Sequence, residues 1–230
     1  GTTDVTRTIC FSKQKNSIKD IFTKVLKGHI AVATTNLKKF NTGKKVDARA
    51  RQFLKKDGLD YAHGTGHGVG FFSNVHEGPQ SITKINTVKL EKGMIVSNEP
   101  GYYKKGHYGI RIENLVYIKK INKKLLFENL TLAPIEKDLI NFKILNNKEK
   151  KYLNKYHKKV YMTLNPYLNK AEKKQVKAQL LDICKSIPSL AIFMLPGGGV
   201  LLPLLIKFIP ELLPSAFNDN RIDPSTEDNS

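Results

Sequence analysis

The sequence predicts an α+β domain, on two observations. Apolar residues recur at helical spacing in two blocks before residue 60 and in one block after residue 146. The stretch between them is filled by short β-branched and aromatic runs punctuated by Gly and Pro. Residues 2–11 alternate β-branched and polar side chains and predict a strand. Ser17 then stands before Ile18, Ile21, Phe22, Val25 and Leu26, the pattern of a capped amphipathic helix running into the 30s. Asp47 opens a second helix through Phe53 and Leu54 that stops near Gly58. Residues 63–80, rich in Gly and His, predict an active-site loop flanked by short strands. Residues 94–99 predict a strand closed by Pro100-Gly101, residues 108–121 a second and residues 125–132 a third. Asn147 starts a last helix with Leu153, Tyr156, Val160 and Leu164 along one face.

A chain of 230 residues is long enough for one good-sized domain with a buried core and an appendage. It opens on Gly1 inside a strand pattern, so we expect a fragment or a processed product. No signal-peptide pattern is visible. Cys10 and Cys184 stand in unrelated contexts and make no disulfide framework, which fits a reducing cytoplasm. The net charge of +19 invites a nucleic-acid reading, but only five of the 39 basic residues are arginine. Phosphate and base recognition favour arginine forks. The scattered lysines imply no specific nucleic-acid partner.

The composition changes near residue 178. Residues 179–230 hold three basic and six acidic side chains, against the strongly basic residues 1–178. Residues 187–206 carry no charge, and Pro196, Pro203 and Pro210 recur every seven residues around Gly197-Gly198-Gly199. We therefore divide the chain into a basic domain over 1–178, an apolar Pro-rich segment over 179–217 and a polar, disordered tail over 218–230.

Three segments and one outlying residue carry chemistry. HGTGHGVG contains His63 and His67, followed by NVHEGP with His76. SNEPGYY contains Glu99, GIRIEN contains Arg111 and Glu113, and TTDVTRT contains Asp4. His63 and His67 lie four apart, but the alternate glycines argue against a helical ligand pair and for a backbone that passes close to a ligand or a strand. Taken alone, Arg111 and Glu113 read as a surface ion pair of little energetic value. Together, three carboxylates and a histidine on adjoining apolar strands are electrostatically costly without a cation. Hard divalent ions relieve that cost, and a carboxylate-rich set with one imidazole suits Mn²⁺.

In their order and wording, GTTDVTRT, HGTGHGVGFFSNVHEGP, SNEPGYY and GIRIENL resemble the pita-bread metallopeptidases, and cytosolic Xaa-Pro aminopeptidase among them. The resemblance continues through ENLTLAPIEKDLI and NKEKKYLNKYHKKV, covering roughly residues 1–170. It implies an α+β pita-bread (creatinase/aminopeptidase-like) fold, truncated at its N-terminus and ending in an apolar helical tail. It implies two divalent ions bridged by Asp4 and Glu113, with His67 and Glu99 completing the shell of the first. His63 and His76 would line the substrate site, Arg111 would support Glu113, and Glu99 would shuttle a proton to the leaving proline nitrogen. A water shared by the two ions would become the attacking hydroxide. The substrates implied are peptides with proline at position two, and the parent protein a homodimer. The family also has a metal-binding Asp upstream of the position of Asp4. The second ion would therefore lack a ligand here, and we expect an impaired enzyme. Prolidase-type dipeptide cleavage is the alternative inside the class; a non-catalytic pita-bread binding module is the alternative outside it.

The stretch from Ile187 to Phe217 is similar to the membrane segment of the leucine-zipper EF-hand transmembrane (LETM) family. That resemblance implies a membrane-associated tail, and a switch between the two families inside residues 171–180.

Overall fold

The computed structural model describes residues 3–70, 72 and 74–171. The apolar segment over 179–217, the polar tail over 218–230 and the helical, membrane-associated character expected of them lie outside the described residues. Among the described residues no helix is long and apolar enough to cross a membrane. The chain divides into two compact units, Gly1–Leu153 and Asn154–Ser230.

In the first unit, helix α1 spans Asn16–Ala33 and buries Phe22, Val25, Leu26, Ile30 and Val32. It packs against helix α2, Gly43–Lys55, which buries Val46, Ala50 and Leu54. Gly28 sits mid-helix because of this crossing: a Cβ there would lie 2.6 Å from the Ala50 carbonyl oxygen. Strands β1 (Gly66–His67) and β2 (Ser81–Ile82) pair antiparallel. Strand β3 (Ile95–Asn98) leads to a hairpin of β4 (Gly101–Lys104) with β5 (Tyr108–Arg111). Strands β6 (Asn114–Ile121) and β7 (Lys124–Asn129) complete an antiparallel sheet of order β3-β6-β7. Val32, Leu37, Val46, Ala50, Ile82, Leu90, Val96, Val116, Ile118 and Phe127 form one core that joins both helices to this sheet. Each fully buried aliphatic side chain in it contributes on the order of 1.5–3 kcal/mol.

Helix α3 spans Asn147–Leu164 and crosses the boundary between the units. Its start is fixed by a reciprocal pair of bonds: the Glu149 amide donates to Asn146 Oδ1 and the Asn146 amide to Glu149 Oε2. Leu153, Tyr156 and Val160 are buried as expected, and Leu164 is half-buried.

Five expectations are corrected. Residues 3–10 form no strand ladder, because they are held mainly by side-chain bonds to residues 111–114 and 133–134. Helix α1 is preceded by Lys15, with no side-chain cap from Ser17. Helix α2 begins at Gly43 rather than Asp47, because the Asp47 carboxylate is engaged by Arg51 one turn on. The run over 108–121 breaks after Arg111, where the Ile112 amide turns to the Pro100 carbonyl and the Glu113 amide to the Thr6 carbonyl. β3 ends before Pro100 as expected, but the chain then enters a further strand, β4, starting at Gly101.

Candidate active site

The break between β5 and β6 puts Glu113 where three segments meet. The Thr6 hydroxyl donates to Glu113 Oε2 at 2.5 Å, and the Glu113 amide donates to the Thr6 carbonyl at 3.0 Å. The Arg7 guanidinium donates to the carbonyls of Glu113, Ala133 and Pro134 and to Asn114 Oδ1, all at 2.6–2.8 Å. Thr8 exchanges bonds with the Arg111 backbone. The polar side chains of TTDVTRT thus stitch Asp4 alongside Glu113 without a strand.

His67 arrives from the other side on β1. A Cβ on Gly66 would lie 2.0 Å from the Ser97 carbonyl oxygen, so only glycine lets β1 run this close to β3. The His67 amide donates to Ser97 Oγ at 2.9 Å, and that hydroxyl donates to Glu99 Oε1 at 3.0 Å. The His67 Nδ1–H faces the Gly68 carbonyl, 3.0 Å away. A carbonyl only accepts, so Nδ1 carries a hydrogen there and Nε2 is the ring nitrogen that faces outward. That nitrogen lies 3.3 Å from Asp4 Oδ2 and 3.6 Å from Glu99 Oε1.

Ligand atoms of Asp4, His67 and Glu113 all lie within 4.8 Å of one another. Glu113 is 1% exposed and Glu99 8%. Burial pushes the Glu113 carboxyl above its ordinary range, and the charges of Glu99 and Asp4 push the same way; the Thr6 hydroxyl and Arg111 oppose them. Lone pairs of one imidazole and several carboxylates converge with too little positive charge among them. A divalent cation supplies what this donor set lacks, so the residues present fit a hard metal ion.

Around this cluster the remaining candidates divide. His76 lies against His67 with ring centroids 4.0 Å apart and the planes tilted by 43°. Arg111 lies against Glu99 rather than Glu113: its Nη1 is 3.6 Å from Glu99 Oε2, and Glu113 feels it only through space. Arg111 Nε donates to the Tyr103 hydroxyl at 2.7 Å, which faces His63 Nε2 at 2.9 Å. His63 Nδ1 lies 2.7 Å from the Gly64 carbonyl and must donate to it, so Nε2 accepts from Tyr103. The result is one directed chain, Arg111 to Tyr103 to His63 to Gly64. Burial holds the His63 imidazole below its ordinary pKa, and the Arg111 charge adds to that. All seven residues expected from the sequence come together in this region. Sequence reasoning missed Tyr103, whose only signal is its place in SNEPGYY, and Arg7, which shares TTDVTRT with Asp4.

Residues 1–120, more than half of the chain, match the model of metallopeptidase family M24, and residues 123–187 match the C-terminal region of peptidase M24. Residues 168–228 match the LETM1-like RBD model, so the two families overlap over 168–187. A probable Xaa-Pro aminopeptidase P of Laccaria bicolor is 48% identical over 179 residues, which cover 73% of this chain and 28% of that protein. The crystal structure of X-prolyl aminopeptidase from Caenorhabditis elegans, described as a cytosolic enzyme with a di-nuclear active site, matches with TM-score 0.70 and 38% identity. That match covers 80% of this chain and 31% of the other. Prolidase from Pyrococcus furiosus matches with TM-score 0.50 and 30% identity over 57% of this chain and 37% of that one. The chain therefore spans about a third or less of the length of the first two relatives.

Proposed function

The chain belongs to metallopeptidase family M24, and on that premise we propose that it carries the site of a metal-dependent aminopeptidase that cleaves the bond after the first residue of peptides with proline second. The observation that carries this is the convergence of Asp4, His67 and Glu113 within 4.8 Å, with Glu99 beside them. Asp4, His67, Glu99 and Glu113 would hold two divalent ions, Mn²⁺ being the ion that suits such a donor set. When bound, the ions would activate water and polarise the scissile carbonyl.

The chain's own residues do the rest. Glu99, buried and next to Ser97 and Arg111, holds a carboxylate at the edge of the cluster and delivers a proton to the leaving proline nitrogen. His63 has both ring nitrogens engaged, so its role is to shape the substrate site. His76, packed against His67, is the better donor to the developing oxyanion. Arg111 orients Glu99 and Tyr103 and sets a positive charge beside the Glu99 carboxylate. The names of the Laccaria and C. elegans relatives support the Xaa-Pro preference, and the cytosolic C. elegans enzyme supports a cytoplasmic home.

The test is release of the first residue from an Xaa-Pro-Xaa peptide and from a bare Xaa-Pro dipeptide by the Mn²⁺-loaded chain. Cleavage of the longer peptide, lost in Glu113→Gln, is expected. Cleavage of the dipeptide alone assigns the site to a prolidase. Failure to bind Mn²⁺ at all leaves a binding module and ends the proposal.

A further inference from the structure

Behind the loop that carries His63 lies a buried charged cluster to which neither the metal chemistry nor the family motifs assign a role. Arg51, on α2, is 1% exposed. Its Nε donates to both Asp47 oxygens at 2.8 and 2.9 Å. Its Nη1 donates to Asp60 Oδ1 at 2.6 Å and to the Tyr61 carbonyl at 2.7 Å, and its Nη2 to the His63 carbonyl at 2.6 Å. The guanidinium carbon sits 3.8 Å above the centre of the Tyr61 ring. Asp47 Oδ1 also accepts from the Thr65 hydroxyl at 2.6 Å, which leaves the Tyr61 hydroxyl to donate to Thr65 Oγ1 at 2.5 Å. The Thr65 carbonyl in turn receives the Glu99 amide at 2.8 Å.

A planar fork is the one side chain that can hold partners on three sides with fixed angles. Residues 60–65 have no regular secondary structure and contain Gly64. Without the fork their path has no other buried tie to α2 among the bonds described, save Thr65 to Asp47, and Asp47 is itself oriented by Arg51. A buried arginine with two acids is a costly device for stability alone, since apolar packing would serve as well. What it supplies is position.

We propose that Arg51, fixed by Asp47 and Asp60, is the positioning residue of the substrate site: it sets where His63 stands and where the peptide of Glu99 runs. It touches no reacting atom. The inference rests on the peptidase reading of the site for its kinetic consequence, but its structural consequence can be measured without turnover.

Arg51→Lys keeps the charge and loses the fork; Asp60→Asn removes one half-exposed arm and leaves the buried Arg51–Asp47 pair, so it folds even where the first variant does not. Three readouts apply to the full chain. Amide hydrogen exchange at Glu99 and His67 should rise about tenfold in either variant, while the first turn of α3 keeps its parent rate. The His63 ring, a single Nδ1–H tautomer in the parent, should show mixed tautomers in its nitrogen chemical shifts. With Mn²⁺ bound at unchanged affinity, kcat/KM on an Xaa-Pro peptide should fall about 10- to 100-fold, mainly through KM. Parent-like exchange and tautomer in a folded variant overturn the proposal, and so does exchange that rises throughout the chain. If the parent cleaves nothing, the peptidase reading fails while exchange and tautomer still decide this one.

Discussion

His29 should make the fold sensitive to acid well before the carboxylates of its surface are titrated. Its ring is fully buried in α1, with Nδ1 within 3.1 Å of the Asn98 carbonyl and 3.2 Å of the Ile112 carbonyl. Both neighbours accept, so one N–H serves them and the other nitrogen faces the Asn114 side-chain amide. Burial lowers its pKa from 6.5 to about 3, helped by the nearby Arg7 charge. The unfolded ring therefore binds a proton at a pH where the folded ring refuses it. The resulting stability is complete above pH 6.5 and is lost as pH falls toward 3. At ~1.4 kcal/mol per unit, the whole shift corresponds to about 5 kcal/mol, of which about 2 kcal/mol is gone by pH 5. His29→Gln supplies a comparable N–H to the same carbonyls and cannot titrate. Urea unfolding of the metal-free proteins, followed by circular dichroism because the chain has no tryptophan, gives both stabilities at pH 7.5 and pH 5. The difference between parent and variant cancels every other titrating group. It should shift by about 2 kcal/mol in favour of the glutamine as pH drops. A difference that stays constant would show that His29 is protonated in the fold or that its burial is not what opposes the proton.

Two further outcomes follow from the site. Saturating Mn²⁺ at about a hundredfold over its Kd should add ~2.7 kcal/mol to the folded state and raise the melting temperature by roughly 5–10 °C. A chelator should reverse the gain, and Glu113→Ala should abolish it; a gain that survives in that variant would place the ion elsewhere. Gly66→Ala puts a methyl group 2.0 Å from the Ser97 carbonyl oxygen, so β1 must move off β3. The expected cost is about 1–3 kcal/mol in urea unfolding, with weaker Mn²⁺ binding by calorimetry because His67 moves too.

The site was legible from the sequence to the extent that its residues are local in wording. Glu99 stands in a pattern that marks a strand end, whereas His67 reads as part of a Gly-rich loop and Glu113 as part of one continuous strand; the structure has all three at strand ends. What could not be read is what holds them. Arg7 meets the Glu113 carbonyl across 106 positions and His29 the Asn98 carbonyl across 69. A sequence does not state which distant carbonyl lacks a ladder partner. Asp47 reads as a helix start because aspartate favours that position. Arg51 four residues on was the available sign that the carboxylate is occupied inside the helix instead. The break between β5 and β6 was hidden for a related reason. Ile110 and Ile112 keep the strand alternation and are both buried, while the backbone between them and Asn114 passes from one sheet to another.

Three of the unread side chains share one arrangement. Arg7 donates to the Glu113 carbonyl, His29 faces the carbonyls of Asn98 and Ile112, and Arg51 donates to the His63 carbonyl. Each acts on the peptide of a site residue or of its immediate neighbour, at a point where the main chain leaves regular pairing. A buried carbonyl without a ladder partner needs a donor, and that donor fixes the peptide plane and with it the direction of the adjoining side chain. Acids such as Glu99 and Glu113 repel one another and would otherwise swing apart wherever the backbone allowed. Holding the peptides makes the ligand cluster a property of the fold before any ion arrives, while the Glu99 carboxylate accepts from Ser97 and has Arg111 3.6 Å away. Among the described residues the Glu113 carboxylate accepts from the Thr6 hydroxyl and has no direct ion pair. An arginine placed there would satisfy the charge and remove the reason for a metal to bind.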